Sequence, residues 1–246
     1  MPLSRLPDSH SYWSLSRSPY YSFVFTLPLF GVYEVMVLFL SRDQLMVLRN
    51  GADVLLRQIL GLFGLWGIYV LSIAFIVGFI VVFLWQKNRW HITSVRGEYL
   101  LKMAGESVLW GMAIYVLLRT LPAVLMFPSG EVVVQQVVLA IGAGLYEEFV
   151  FRVLAINIMS VLLKALFLWR RGWRKLGAIL FAAGLFSAFH FVGQFGDSFN
   201  LTLFGYRFLA GTLLGALYVA RGFGITAYAH TVYDFVVVFN LTTAPS

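Results

Sequence analysis

Seven apolar stretches, each long enough to cross a bilayer, follow one another along this chain: roughly Tyr20–Leu40, Ile59–Trp85, Tyr99–Phe127, Val132–Leu168, Leu176–Gly193, Leu201–Ala220 and Gly222–Asn240. At 1.5 Å per residue, about 20 apolar residues span the hydrocarbon core. There the backbone has no water to bond, so runs of this length become helices. The expected fold is therefore all-α, a polytopic transmembrane bundle of about seven spans. The fourth stretch would be about 55 Å long as one helix. It must tilt strongly, extend beyond the bilayer, or break in two and give an eighth span. Only 12% of the 246 residues are charged and 60% are hydrophobic. A soluble domain carries roughly 25% charged residues, which excludes a water-soluble globule.

Residues 1–19 read as a polar cytoplasmic tail, and 20–246 as a single transmembrane domain without repeats or a linker. The run at 41–57 mixes Arg42, Asp43, Arg49 and Arg57 with Leu and Val, the pattern of an interfacial amphipathic helix. Lys87, Arg89 and Arg96 follow the second stretch, and Arg170, Arg171, Arg174 and Lys175 follow the fourth, whereas 128–131 and 194–200 have no basic residue. The positive-inside bias places the amino terminus in the cytoplasm, although Arg42, Arg49 and Arg57 fall on the opposite side. The net charge of +7 is thus read as orientation on an anionic membrane, not as a nucleic-acid surface. The absence of cysteine removes disulfides, a thiol nucleophile and Cys-bound zinc.

Against this background the ionisable residues inside apolar stretches stand out: Glu147, Glu148, Arg152, His190, His230 and Asp234. A charge at mid-bilayer costs at least about 2.5–3.5 kcal/mol on insertion scales, so such residues are functional candidates. Carboxylates and imidazoles on separate helices can together activate a water for hydrolysis. Glu148 and Arg152, at i and i+4, share a helix face and suit an ion pair. Glu147 points about 100° away and is the better placed general base. His190 shares a face with Phe186, and taken alone would be a hydrogen-bonded core residue. His230 and Asp234, again i and i+4, could fix one imidazole tautomer or bind a metal together.

Measured from the basic ends, Glu147, His190 and His230 lie roughly 25, 20 and 12 Å deep. Only tilt, or a re-entrant start to the last span, would bring them level. Gly142, Gly144 and the Gly211…Gly215 pair mark places where helices can approach closely. Glu34, in the middle of the first stretch, should face the interior with a donor the sequence does not identify. His10 and His91 lie in polar segments and read as surface residues. No H-E-x-x-H and no Gly-x-Ser-x-Gly occurs, which removes the usual zinc helix and the serine elbow.

Three ordered motifs remain: Glu147-Glu148-Phe149-Val150-Phe151-Arg152, Phe186-Ser187-Ala188-Phe189-His190 and His230-Thr231-Val232-Tyr233-Asp234. Over about residues 100–240 the chain resembles the CAAX protease and bacteriocin-processing (Abi) family, whose motifs are E-E-x-x-x-R, F-x-x-x-H and H-x-x-x-N/D. The resemblance implies an intramembrane endopeptidase, multi-pass in a prokaryotic plasma membrane, acting on a membrane-associated CAAX-type or other protein or peptide. It implies that Glu147 activates water with His190. His230 and Asp234 would stabilise the oxyanion, or His190, His230, Glu147 and Asp234 would hold Zn2+; a metal-free glutamate mechanism is equally drawable. Asp234 stands where the family also has Asn, and an anionic Asp is a poor oxyanion donor, which favours the metal or an orienting role. Two other classes stay open. Intramembrane Glu, His and Asp also mark ion- or proton-coupled transporters, though no inverted repeat is visible, and a non-proteolytic scaffold or immunity-type protein would keep the same fold.

Overall fold

The computed structural model describes residues 11–38, 51–64, 95–118, 133–167, 170–192 and 196–243, with scattered positions between 73 and 84. Every described element is a helix. Helix α1 (Tyr12–Leu15) is capped by the Ser11 side chain. Helix α2 (Pro19–Leu38) starts on a proline, which has no N–H to leave unbonded. The Ser18 hydroxyl accepts from the Tyr21 N–H at 3.1 Å to close that first turn. Then come α3 (Gly51–Leu62), α4 (Gly97–Leu118) and α5 (Val133–Gly142). Helix α5 runs through π-helical turns at Ala143–Glu147 and Phe149–Ile156 into α6 (Asn157–Phe167). Helices α7 (Arg171–Phe189), α8 (Leu201–Arg221) and α9 (Phe223–Thr243) complete the order. Asn200 caps α8, and Gly222 at φ 83° turns the chain sharply into α9.

Four described helices are long and apolar enough to cross a membrane: Pro19–Val37, Gly97–Leu118, Gln136–Phe167 and Leu201–Arg221. Their outer faces carry exposed Leu101, Leu109, Leu117, Val161, Leu166 and Leu209. Contiguous apolar exposure of this kind marks a surface in contact with lipid. The chain is an integral membrane protein.

The expected boundaries shift in four places. The fourth stretch does not break; it is one rod whose middle turns are π-helical. The fifth starts at Arg171 and ends at Phe189, so basic residues occupy its first turns. The last helix runs Phe223–Thr243, so it begins one residue and ends three residues later than the apolar stretch. Residues 41–50 of the expected amphipathic run, His10, His91 and most of the second stretch lie outside the described residues. The remainder of the amphipathic run belongs to α3, which continues past Arg57 to Leu62.

Small residues let the interior helices close on one another. A Cβ on Gly211 would meet Phe186 Cδ1 at 3.0 Å, and one on Gly215 would meet Ile179 Cγ2 at 2.9 Å, so the paired glycines of α8 seat α7. A Cβ on Gly111 would stand 2.7 Å from the Ala229 carbonyl oxygen, which fixes how near α4 comes to α9. Tyr21, Tyr99, Met103, Ile225 and Ala229 fill the space between α2, α4 and α9. Tyr33, Val138, Leu145, Tyr146 and Ala227 fill a second space beside the π-helical turns.

At one end of the bundle α1 is tied down by a buried charge cluster. Arg221 Nε and Nη2 donate to Glu106 at 2.5 and 2.7 Å, and Nη2 also reaches Ser16 Oγ at 3.0 Å. Tyr12 donates to the same carboxylate at 2.5 Å. Burial, reinforced by that carboxylate, pushes the Tyr12 phenol up to about 12. The Arg221 guanidinium lies 4.1 Å over the Trp13 ring. Sequence reading passed over Glu106 and Arg221, although the rule that singled out Glu34 applies equally to Glu106.

Candidate active site

The π-helical turns carry the first motif. Such turns are rare and concentrate at functional sites. Here they sit where α9 presses hardest: a Cβ on Gly144 would stand 2.0 Å from Thr231 Oγ1 and 2.5 Å from the Ala227 carbonyl oxygen. No side chain fits there. The Phe223 ring meets that of Phe149 at 6.2 Å, so the last helix begins beside the motif. Beginning there, α9 brings His230 level with Glu148, with Nδ1 2.7 Å from Oε1.

Glu148 is the hub. Fully buried, it pairs through Oε2 with Arg152 Nε at 2.9 Å and accepts from His230 Nδ1 at 2.7 Å through Oε1. The Arg152 contact is an ion pair without the alignment of a hydrogen bond. Buried charges persist only when paired in this way. The helical i, i+4 spacing supplied the arginine, but the histidine comes from a helix 82 residues on. His230 Nε2 is 3.6 Å from Asp234 Oδ2. The carboxylate that holds His230 is therefore Glu148, more closely than the Asp234 suggested by spacing.

The Phe186 ring supports the cations and imidazoles around it. Arg152 Cζ stands 4.6 Å over it, and the His190 and His230 rings lie 4.9 and 6.2 Å away, edge to face. His190 caps α7, and its Nδ1–H donates to the Phe186 carbonyl at 2.8 Å. That bond fixes the tautomer and leaves Nε2 as the basic nitrogen. Glu147 is buried, and its carboxylate acts electrostatically on Arg152, His190, His230 and Asp234. The six residues singled out from the sequence lie near one another on three segments of chain, five of them buried and His190 half-buried.

Two further features were not foreseen. Tyr146, next to Glu147, donates to Glu34 Oε1 at 3.0 Å, which supplies the donor the sequence left unidentified. Beyond His190 the chain folds back: the Asp197 N–H donates to the His190 carbonyl at 2.9 Å, and Arg207 Nη2 pairs with Asp197 Oδ2 at 2.5 Å. Arg207, a cation inside an apolar helix, is the sequence signal for this contact.

The zinc expectation meets a different arrangement. Among the described residues no three His, Asp or Glu side chains are grouped so that they could hold a metal ion. His190 and His230 each turn Nδ1 to an oxygen of the protein. That leaves Nε2 of each ring as the nitrogen a metal would take, but no third ligand is grouped with the two among the described residues.

Residues 129–236, which contain all three motifs, match the family model described as Type II CAAX prenyl endopeptidase Rce1-like. Over this segment, which is less than half of the chain, the protein is similar to Rce1-like endopeptidases. No curated protein and no solved structure matched the chain. The matched segment runs from before α5 through most of α9, so α1, α2 and α4 pack on it from outside the match.

Proposed function

We propose that this protein is an intramembrane endopeptidase that hydrolyses a peptide bond in a membrane-associated, CAAX-type or other, protein. The observation that carries the reading is the cluster of Glu147, His190, Glu148, Arg152, His230 and Asp234 inside the segment similar to Rce1-like endopeptidases. Glu147 takes a proton from water, with His190 Nε2 orienting it, and the water oxygen bonds to the scissile carbonyl carbon. Asp234 orients His230, which Glu148 also holds through Nδ1. An N–H on His230 Nε2 then donates a hydrogen bond to the oxyanion of the tetrahedral intermediate and keeps its proton. As the carbon–nitrogen bond breaks, the proton held by Glu147 passes to the leaving amine. The glutamate–histidine mechanism is preferred because among the described residues no three His, Asp or Glu side chains are grouped.

The bundle crosses the membrane about seven times, counting the second stretch and α7 and α9 beside the four long apolar helices. Arg17, Arg96, Lys175 and Arg221 belong to one end, since Arg96 N–H reaches the Tyr21 hydroxyl and Gly222 lies against Arg17. This end is cytoplasmic by the positive-inside bias, together with residues 11–18. The membrane is the plasma membrane of a prokaryote. The test is cleavage of a membrane-associated substrate in proteoliposomes, wild type against Glu147→Gln. Product from the wild type alone supports a peptidase; equal product from both, or none from either with candidate substrates, rejects it.

A further inference from the structure

A cleft of about 400 Å3 opens at the basic end, bounded by the amino end of α2, the rod at Phe149–Ser160, and the turn from α8 to α9. Its bed is apolar, formed by Phe23, Phe149, Val153, Ile156 and Phe223, and two cations, Arg17 and Lys175, stand on its wall. Among the described residues no carboxylate lines it. The polar groups on the wall are donors. Asn157 Nδ2 donates to the Tyr218 hydroxyl at 2.9 Å, which leaves the phenolic proton to be given away. Ser22, at 2% exposure, lines the cleft with a hydroxyl that has no hydrogen-bond partner among the described residues. A buried hydroxyl without a partner costs free energy unless something in the cleft bonds it. The start of α2 adds the positive end of a helix dipole.

Cations and donors above an apolar floor suit an amphiphile with an anionic head. A soluble anion would leave the aromatic floor wet, and a neutral lipid would leave both cations unused. The volume falls in the range of small-molecule sites, about 300–1,000 Å3. We infer that this cleft binds an anionic phospholipid of the surrounding leaflet, with the phosphate held by Arg17, Lys175 and Tyr218 and the upper acyl chain on Phe23, Phe149 and Phe223. The floor residue Phe149 directly follows Glu148, so the bound lipid lies against the π-helical turns. The inference does not depend on peptidase activity, since it concerns binding alone.

The purified chain in neutral detergent is titrated with phosphatidylglycerol, phosphatidylcholine and inorganic phosphate, and bound lipid is counted by native mass spectrometry. Phosphatidylglycerol should bind, with phosphatidylcholine and phosphate far weaker. Each interfacial cation contributes about 1 kcal/mol towards an anionic lipid, roughly fivefold in affinity. Arg17→Gln and Lys175→Gln should each weaken binding about fivefold, while Arg170→Gln with Arg171→Gln, at the same end but off the cleft, should not. Val153→Trp fills the floor and should abolish binding; if it does not fold, Tyr218→Phe, expected to weaken binding severalfold, takes its place. Equal loss from the Arg170 and Arg171 pair means unspecific surface attraction and overturns the site. Unchanged binding in the cleft variants, or phosphate competing as strongly as lipid, overturns it as well.

Discussion

The two adjacent glutamates should fail in opposite ways. Glu148 is fully buried, ion-paired through one oxygen with Arg152 at 2.9 Å and hydrogen-bonded through the other to His230 at 2.7 Å. Glu148→Gln leaves the 1%-exposed Arg152 without its carboxylate. Removing one partner of a buried ion pair costs about 3–5 kcal/mol. For a chain of this size each kcal/mol moves the melting point by about 2–4 °C, so a fall of roughly 6–20 °C is expected. Glu147→Gln keeps the Glu148–Arg152 pair and the His230 bond intact, so melting should move by only a few degrees. Its cost should fall on turnover, about 10²–10⁴-fold for a lost general base, or roughly 3–5 kcal/mol of barrier. The assay is thermal unfolding and substrate cleavage for wild type and both variants in one detergent. If Glu147→Gln melts the protein while Glu148→Gln only slows it, the roles are reversed and the argument from pairing is wrong.

Gly144→Ala forces a methyl group onto Thr231 Oγ1 and the Ala227 carbonyl. Overpacking costs about 1–3 kcal/mol or more, so melting should fall; because the carbonyl is backbone, adding Thr231→Ala should recover only part of it. Tyr146→Phe removes the donor to Glu34, worth about 1.5–3 kcal/mol if the carboxylate is charged; an unchanged melting point in detergent would show that the bond contributes nothing. The Tyr12 phenol is raised from 10.0 to about 12. The folded state therefore keeps its proton longer than the unfolded state, and the anchoring of α1 is complete below pH 10 and lost as pH rises towards 12. Protease nicking of residues 11–18 should increase across that window in the wild type, and Tyr12→Phe should abolish the pH dependence.

How much of this was legible in the sequence depended on the range of the interaction. The cost of a charge in lipid is a property of one residue and its neighbours, so all six residues of the cluster could be found without knowing any contact. The Glu148–Arg152 pair was legible for the same reason, since four residues on one helix fix the geometry. His230 bonding Glu148 was not legible. It depends on where α9 begins and how it lies against the rod, and both are set by Gly222, Gly144 and the Phe149–Phe223 contact acting together. The π-helical turns were equally hidden, because a few turns of i→i+5 bonding leave no period in so uniformly apolar a stretch. They change what the motif means. Glycine at 144 lets α9 approach to within bonding distance of Glu148, and the widened turns place Glu147 and Glu148 beside that helix together. A straight α-helical rod with Ala at 144 would keep every motif residue and hold α9, with His230 and Asp234, too far away to reach them.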